Sequence, residues 1–275
     1  MAQSLAQKRA EFRKLHDQGC FVLPNAWDAG SARLLQSLGF KAVGSTSAGY
    51  AWAAGRADYG LQRDEALQHL AMLSAASDLA VNADFESGFA DAPEAVAANV
   101  TRCVATGVAG LSIENRTDNR DKPLYDDALA TERIRASRRA IDASGSNVLL
   151  VARCEGFLVG QPDLAATIKR LQAFAEAGAD CLYAPGISTR EQISAVVKAV
   201  APKPVNVLIG GASELSVPIL ADLGVRRVSL GGALARAAWG GFMRAAIEIR
   251  DKGTFSELGK AHPGAELQKI LGAPR

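Results

Sequence analysis

Short apolar runs rich in β-formers alternate along this chain with longer stretches whose apolar positions recur every three or four residues. The runs predict strands at Phe21–Pro24, Ala42–Ser45, Leu79–Asp84, Gly110–Glu114, Val148–Arg153, Cys181–Ala184, Pro204–Leu208 and Arg227–Leu230. The alanine-rich stretches between them predict helices, among them Arg63–Ser77, Pro93–Thr106, Asp163–Ala177 and Glu191–Val200, with no proline in their interiors. A weak internal repeat supports the count. Gly39, Gly107, Gly178 and Gly224 each fall between a helix and the next strand, in LGFKAV, TGVAGL, AGADCL and LGVRRV. Glycine suits a helix end that turns through a left-handed conformation.

Eight strands alternating with helices predict an α/β fold, a single (β/α)8 barrel over residues 1–275. An open doubly wound sheet is the main rival, and the first turn lacks its glycine-rich dinucleotide fingerprint. Residues 1–19 read as an N-terminal helix with Leu5, Phe12 and Leu15 on a docking face. Residues 253–275 read as a helical extension, with helices at Phe255–Leu258 and Ala265–Leu271 that pack on the barrel or on a neighbour.

Composition narrows the class further. Among 275 residues, 48% are hydrophobic and 22% charged, the balance of a globular protein with a sizeable core. The net charge is +2 and its basic residues are scattered, which predicts no nucleic-acid partner. No apolar run approaches a membrane span and the N-terminus lacks a secretory apolar region, so the expected location is the cytoplasm. Cys20, Cys103, Cys154 and Cys181 show no metal spacing, and His16, His69 and His262 are scattered, against a zinc site.

Candidate chemistry concentrates in Val81-Asn-Ala-Asp-Phe-Glu-Ser-Gly-Phe89. Asn82, Asp84 and Glu86 alternate, and on an extended chain alternate residues share a face. Carboxylates in such a place need compensation, and a divalent cation supplies it. Barrel enzymes draw their sites from the C-terminal ends of strands. Reading those positions gives Asn25, Asp28, Thr46-Ser47-Ala48-Gly49, Asp84, Glu86, Glu114, Arg153, Tyr183, Asn206 and Gly231-Gly232. The set is polar although the strands that feed it are apolar. Asp84 and Glu114 end neighbouring strands and, with Asn82, form an oxygen-rich shell suited to Mg2+; ordinary ion pairs with Arg153 or Arg116 are the competing reading. Arg153 can hold a carboxylate or a developing enolate. Thr46-Ser47-Ala48 offers hydroxyls and backbone N–H groups for a carboxylate, and Asp58 can reach the same mouth. Gly210-Gly211 and Gly231-Gly232 sit where many barrels bind phosphate.

Seven blocks resemble the isocitrate lyase/phosphoenolpyruvate mutase superfamily, in its order and over nearly the full length. They are Leu23-Pro-Asn-Ala-Trp-Asp28, Ser45-Thr-Ser-Ala-Gly49, Ala83-Asp-Phe-Glu-Ser-Gly88, Ile113-Glu114, Ala152-Arg153, Gly178-Ala-Asp180 and Pro204-Val-Asn206. The resemblance implies a (β/α)8 barrel, Mg2+ (or Mn2+), small 2-oxo or 2-hydroxy acids as ligands, and homodimers or homotetramers that exchange C-terminal helices. It further implies Asp84 and Glu114 as metal-site acids, with Asn82 where many relatives carry another acid. Thr46, Ser47 and Ala48 match the segment that holds the substrate carboxylate, Asp58 a site acid, Arg153 the arginine on the substrate oxygen, and Asn206 a polar position on the seventh strand. The chain departs from the family after Glu114. The Lys/Arg-Cys-Gly-His loop of the isocitrate and methylisocitrate lyases is replaced by Asn115-Arg-Thr-Asp-Asn-Arg-Asp-Lys-Pro-Leu-Tyr125. Asn119 lies closer to Glu114 than the characteristic asparagine of the phosphonate-acting members.

The expected activity is a Mg2+-dependent lyase making or breaking a C–C bond of an oxaloacetate-like or methylisocitrate/dimethylmalate-like acid through a metal-stabilised enolate. Asp84, Arg153 and Asn206 would bind substrate with Thr46–Ala48; Arg153, Asp58 and Glu114 would act in catalysis. The Asn115–Tyr125 loop would serve as a lid, with Asp58 or Tyr125 as proton donor or acceptor. P–C chemistry on a phosphonopyruvate-type substrate, and a 2-oxo-acid-binding protein with little catalysis, are the alternatives.

Overall fold

The computed structural model describes residues 3–273. Strands β1 (Phe21–Leu23), β2 (Asn25–Ala26), β3 (Ala42–Ser45), β4 (Ala80–Asp84), β5 (Gly110–Glu114), β6 (Leu149–Arg153), β7 (Cys181–Tyr183), β8 (Val205–Leu208) and β9 (Arg227–Ser229) form one parallel sheet. Its order runs β1-β9-β8-β7-β6-β5-β4-β3-β2. The two ends of that order are one stretch of chain broken at Pro24. Before the proline, Phe21 to Leu23 pair with Arg227 to Ser229; after it, Asn25 and Ala26 pair with Gly44 and Ser45. Pro24 has no N–H to donate, but its carbonyl accepts from Gly44 N at 2.9 Å. The predicted first strand thus changes partner in its middle and closes an eight-stranded barrel.

Helices follow the strands: α1 (Leu5–Lys14) precedes the barrel, then α2 (Ala29–Ser37), α3 (Ser47–Ala53), α4 (Arg63–Ala76), α5 (Pro93–Ala105), α6 (Asp127–Ala143), α7 (Leu164–Glu176), α8 (Arg190–Val200), α9 (Val217–Asp222), α10 (Ala233–Lys252) and α11 (Gly264–Gly272), with a 3-10 turn at Ser256–Lys260. The predicted helices keep their places to within a residue or so, because the residues at their edges are caps: Asp163 accepts from Ala166 N, and Ser77 ends α4. Helix α3 falls where the sequence reads as a binding loop, and Thr46 is its N-cap, accepting from Gly49 N. The four repeat glycines all turn left-handed, with φ from +84° to +101°.

Two apolar layers result. Buried side chains between sheet and helices, such as Leu70, Val100, Ile134 and Phe174, form the outer one. The inner one fills the lower barrel around Phe12 of α1, which packs with Leu23, Ala80, Leu149 and Val151. Arg9 donates to the carbonyls of Val108 and Val104, and Arg13 to those of Asn147 and Val148, so α1 plugs the N-terminal end of the barrel. Leu5, assigned to the docking face by its spacing, is exposed. At the other terminus α11 lies on α2 of the same chain, where Arg33 Nη2 donates to Ala273 O at 2.6 Å. Among the described residues no helix is long and apolar enough to cross a membrane.

Candidate active site

The strand ends opposite α1 surround a cavity of about 180 Å³ lined by, among others, Thr46, Asp58, Asn82, Asp84, Arg153 and Tyr183. Its chemistry is set by register. Glu114 and Arg153 are direct partners across β5 and β6, and Arg153 in turn pairs with Tyr183 on β7. One guanidinium is therefore held beside acids from several strands and loops. Arg153 Nη1 lies 2.6 Å from Asp84 Oδ1 and 3.1 Å from Glu114 Oε2, and Nε lies 3.0 Å from Glu155 Oε1. Burial works against the charge of Arg153, but Glu155, Glu114 and Asp84 together outweigh it and hold the group well above its ordinary pKa.

The acids outnumber this base. Glu114 is buried, and burial pushes its carboxyl well above the usual range despite Arg153. Glu155 is raised for the same first reason, and its N–H donates to Asn115 Oδ1 at 2.8 Å. Glu86, on the loop after β4, is pushed up to about 8 by burial and then by Asp84 and Asp58. Its φ of +47° is left-handed for a residue with a side chain. Arg133 of α6 secures that loop by donating to the carbonyls of Ser87, Ala90 and Asp91.

These acids fit a divalent cation by chemistry. Glu86 Oε1, Glu114 Oε1 and Glu155 Oε2 are buried without a hydrogen-bond partner, and Glu114 Oε2 has only its ion pair with Arg153. Such orphaned oxygens in a buried acidic cluster suit a hard cation. Among the described residues no three acid, histidine or cysteine side chains converge as a closed cage. Mg2+ does not need one, because it takes one or two carboxylates and completes its shell with water and substrate oxygens.

Of the residues singled out by the sequence, Thr46, Ser47, Ala48, Asp58, Asn82, Asp84 and Arg153 line the cavity. Ser47 already has a partner, since its N–H and Oγ donate to Asp84 Oδ2 at 3.0 and 2.8 Å. Asp58 stands on the rim, its carboxyl raised by burial and by Asp84. Asn82 shares the Asp84 face one pleat lower, and its Oδ1 faces Arg227 Nη1 at 3.3 Å. Asn206 is completely buried; Oδ1 accepts from Arg227 Nε at 2.8 Å and Nδ2 donates to Ser229 Oγ at 2.8 Å.

The loop after Glu114 forms a small antiparallel hairpin, with a bridge between Arg116 and Leu124. Arg116 lies 3.6 Å from the centre of the Tyr59 ring, joining this loop to the Asp58 rim. Asn119 closes the exposed hairpin tip, where Oδ1 accepts from Asp121 N and Lys122 N. The Tyr125 hydroxyl donates to Asp91, and its ring lies under Arg133. The sequence reading did not single out Tyr59, Ser112 or Arg227, which also line the cavity. Arg227 had a signal: with Ser229 it places polar residues on alternate positions of an apolar strand, hence on one face.

A family model described as phosphoenolpyruvate phosphomutase matches residues 12–250. A crystal structure from Burkholderia cenocepacia J2315 that carries a provisional lyase/mutase description is 48% identical, covers 98% of this chain and 99% of its own, and superposes with a TM-score of 0.96. The oxaloacetate decarboxylase of Paraburkholderia xenovorans LB400 is 31% identical over 75% of this chain and 70% of its own length. A 2,3-dimethylmalate lyase structure, described as a PEP mutase/isocitrate lyase superfamily member, is 26% identical over 96% of this chain and 95% of its own, with a TM-score of 0.86.

Proposed function

The chain belongs to the phosphoenolpyruvate phosphomutase family, within the isocitrate lyase/PEP mutase superfamily of lyases and mutases, and on that footing we propose that it is a Mg2+-dependent lyase acting on a C–C bond of a small 2-oxo or 2-hydroxy acid. The observation that carries this reading is the buried acid cluster around Arg153, with carboxylate oxygens that lack partners at the C-terminal mouth of the barrel. Relatives named for oxaloacetate and dimethylmalate chemistry support the substrate class.

Asp84 and Glu114 are the residues that would hold the ion, with the buried carboxyls of Glu86 and Glu155 behind them. When bound, the cation supplies a Lewis acid for the 2-oxygen and the adjacent carboxylate. Thr46, Ser47 and Ala48 fix that carboxylate, Ser47 exchanging its Asp84 partner for the ligand. Arg153 neutralises charge that develops on the substrate oxygen as the C–C bond breaks, from a position fixed before the reaction begins. Asp58 stands where it can move a proton at the rim. The Arg116–Tyr59 contact ties the 115–125 hairpin to that rim and helps exclude water when the loop closes.

The test is a calorimetric and turnover screen of oxaloacetate, dimethylmalate and 2-methylisocitrate with and without Mg2+. Binding and cleavage of one acid should require the ion, and Asp84→Ala should abolish the Mg2+-dependent part of binding. Unchanged affinity in that variant removes the assignment of the metal to Asp84.

We also propose that the working form is a homodimer or homotetramer. Helix α10 and the following turn leave Trp239, Phe242, Met243, Phe255 and Leu258 exposed on one chain, and contiguous apolar patches are uncommon on monomers.

A further inference from the structure

A second arginine lies beneath the acid cluster, in surroundings of the opposite kind. Arg227 opens β9, is 2% exposed, and lines the same cavity as Asp84 and Arg153. Its side chain runs into the barrel, where Nε donates to Asn206 Oδ1 at 2.8 Å and Nη1 lies 3.3 Å from Asn82 Oδ1 and 3.4 Å from His16 Nε2. These partners are neutral. His16 is pushed down to about 3, by burial and then by Arg227 itself, so it carries no charge near neutral pH. The remaining groups that act on the guanidinium electrostatically are the Cys181 thiol and the Tyr183 hydroxyl. Among the described residues no carboxylate forms an ion pair with it; Asp180, which acts on His16 and Cys181 beside it, is itself paired with Arg13 and Arg138.

A buried charge without a counter-ion is expensive, and the cost is usually met by an ion of opposite sign. Arg153 meets it with three acids; Arg227 meets it with amides. The identity of residue 82 decides the difference. An aspartate there would sit against Arg227 and cancel its charge, whereas the Asn82 amide holds the guanidinium in place and leaves the charge standing. Gly110 makes room for that amide, since a Cβ at position 110 would lie 2.6 Å from Asn82 Oδ1. An acid with two anionic groups entering this cavity passes Asp58 and Asp84 at the mouth, which repel whichever group is not neutralised there. Arg227 is the lining cation whose charge is not already matched.

We infer that Arg227, flanked by Asn82 and Ser229, is an anion seat on the cavity floor that takes the second carboxylate of the substrate. The lyase therefore selects a compact dicarboxylic 2-oxo or 2-hydroxy acid over its monocarboxylic counterpart. This rests on the 2-oxo/2-hydroxy acid reading proposed above and specifies the substrate within it.

Calorimetry on the full-length protein with Mg2+ tests it, using malate as dianion, lactate as monoanion, and oxalate on the wild type as a probe of the mouth alone. The wild type should bind malate at least about tenfold more tightly than lactate, or 1.4 kcal/mol. Arg227→Met and Asn82→Asp should each reduce that ratio below about threefold, chiefly by weakening malate. Asn82→Asp is nearly isosteric and decides the matter if Arg227→Met does not fold. Equal binding of malate and lactate by the wild type overturns the seat, as does a ratio that survives Asn82→Asp. Oxalate binding with no malate preference removes the seat and leaves the lyase reading standing. Failure of all three acids to bind removes both.

Discussion

Glu86 holds a left-handed backbone and a buried carboxyl with one oxygen unpartnered, so it spends folding energy on the site. Its folded pKa, about 8, lies above the ordinary value of 4.5. A carboxyl raised in this way contributes its full stability below the unfolded pKa and loses it as pH rises through the folded one. Melts of the metal-free protein should therefore lose a few kcal/mol, at most, between about pH 5 and pH 8. Glu86→Gln should flatten that slope, and parallel slopes in the two proteins would place the titration elsewhere. Arg153→Ala should lower kcat/KM at least about tenfold, or 1.4 kcal/mol, because it removes a charge fixed beside the reacting oxygen; wild-type kinetics in this variant would make Arg153 purely structural. Gly110 answers to sterics alone. A Cβ there would lie 2.6 Å from Asn82 Oδ1 and 2.8 Å from Phe12 Cε1, so Gly110→Ala should cost about 1–3 kcal/mol in denaturant unfolding.

Among the elements, α1 shows how local signals and tertiary contacts divide the work. Ser4 and Gln7 form a capping box at its start, yet its hydrophobic content is low and its place is fixed by Phe12 and by Arg9 and Arg13 on barrel carbonyls. Phe12→Ala should cost about 3–5 kcal/mol and loosen the barrel floor, read as faster amide exchange in β4 and β6. Unchanged exchange there would show that α1 merely rests on the barrel. Helix α3 is the contrary case. Thr46-Ser-Ala-Gly49 reads as a loop because small polar residues and glycine favour turns, and the helix forms because Thr46 caps it while Gly49 packs on Trp27 and Ala235. The hairpin after Glu114 likewise owes its shape to a bridge between residues 116 and 124 that no periodicity announces.

For the molecule as a whole, the exposed face of α10 carries the clearest expectation. Phe242 is 60% exposed and Phe255 64%. Light scattering should report a dimer or tetramer, and Phe242→Asp with Phe255→Asp should shift the protein toward monomer. A monomeric wild type at micromolar concentration would end that reading. The terminal helix α11 rests on α2 of its own chain here, so exchange of this helix between subunits is a separate matter from association through α10.

The strands, most helices and the repeat glycines were legible in the sequence because they follow from local physics: apolar periodicity, caps and left-handed turns. So was the polarity of the strand ends, which placed Asp84, Glu114 and Arg153 near one another once a barrel was inferred. What each side chain does with that proximity was decided only by closure of the sheet. Arg227 meets Asn82 across 145 positions of chain, and Arg153 meets Asp84 across 69. Whether a guanidinium finds three carboxylates or three neutral partners depends on register, on which face of a strand points inward, and on a single amide at position 82. Alternation tells which side chains share a face, and position 82 can be read directly, but the register that brings them together across the closed sheet has no local pattern to read.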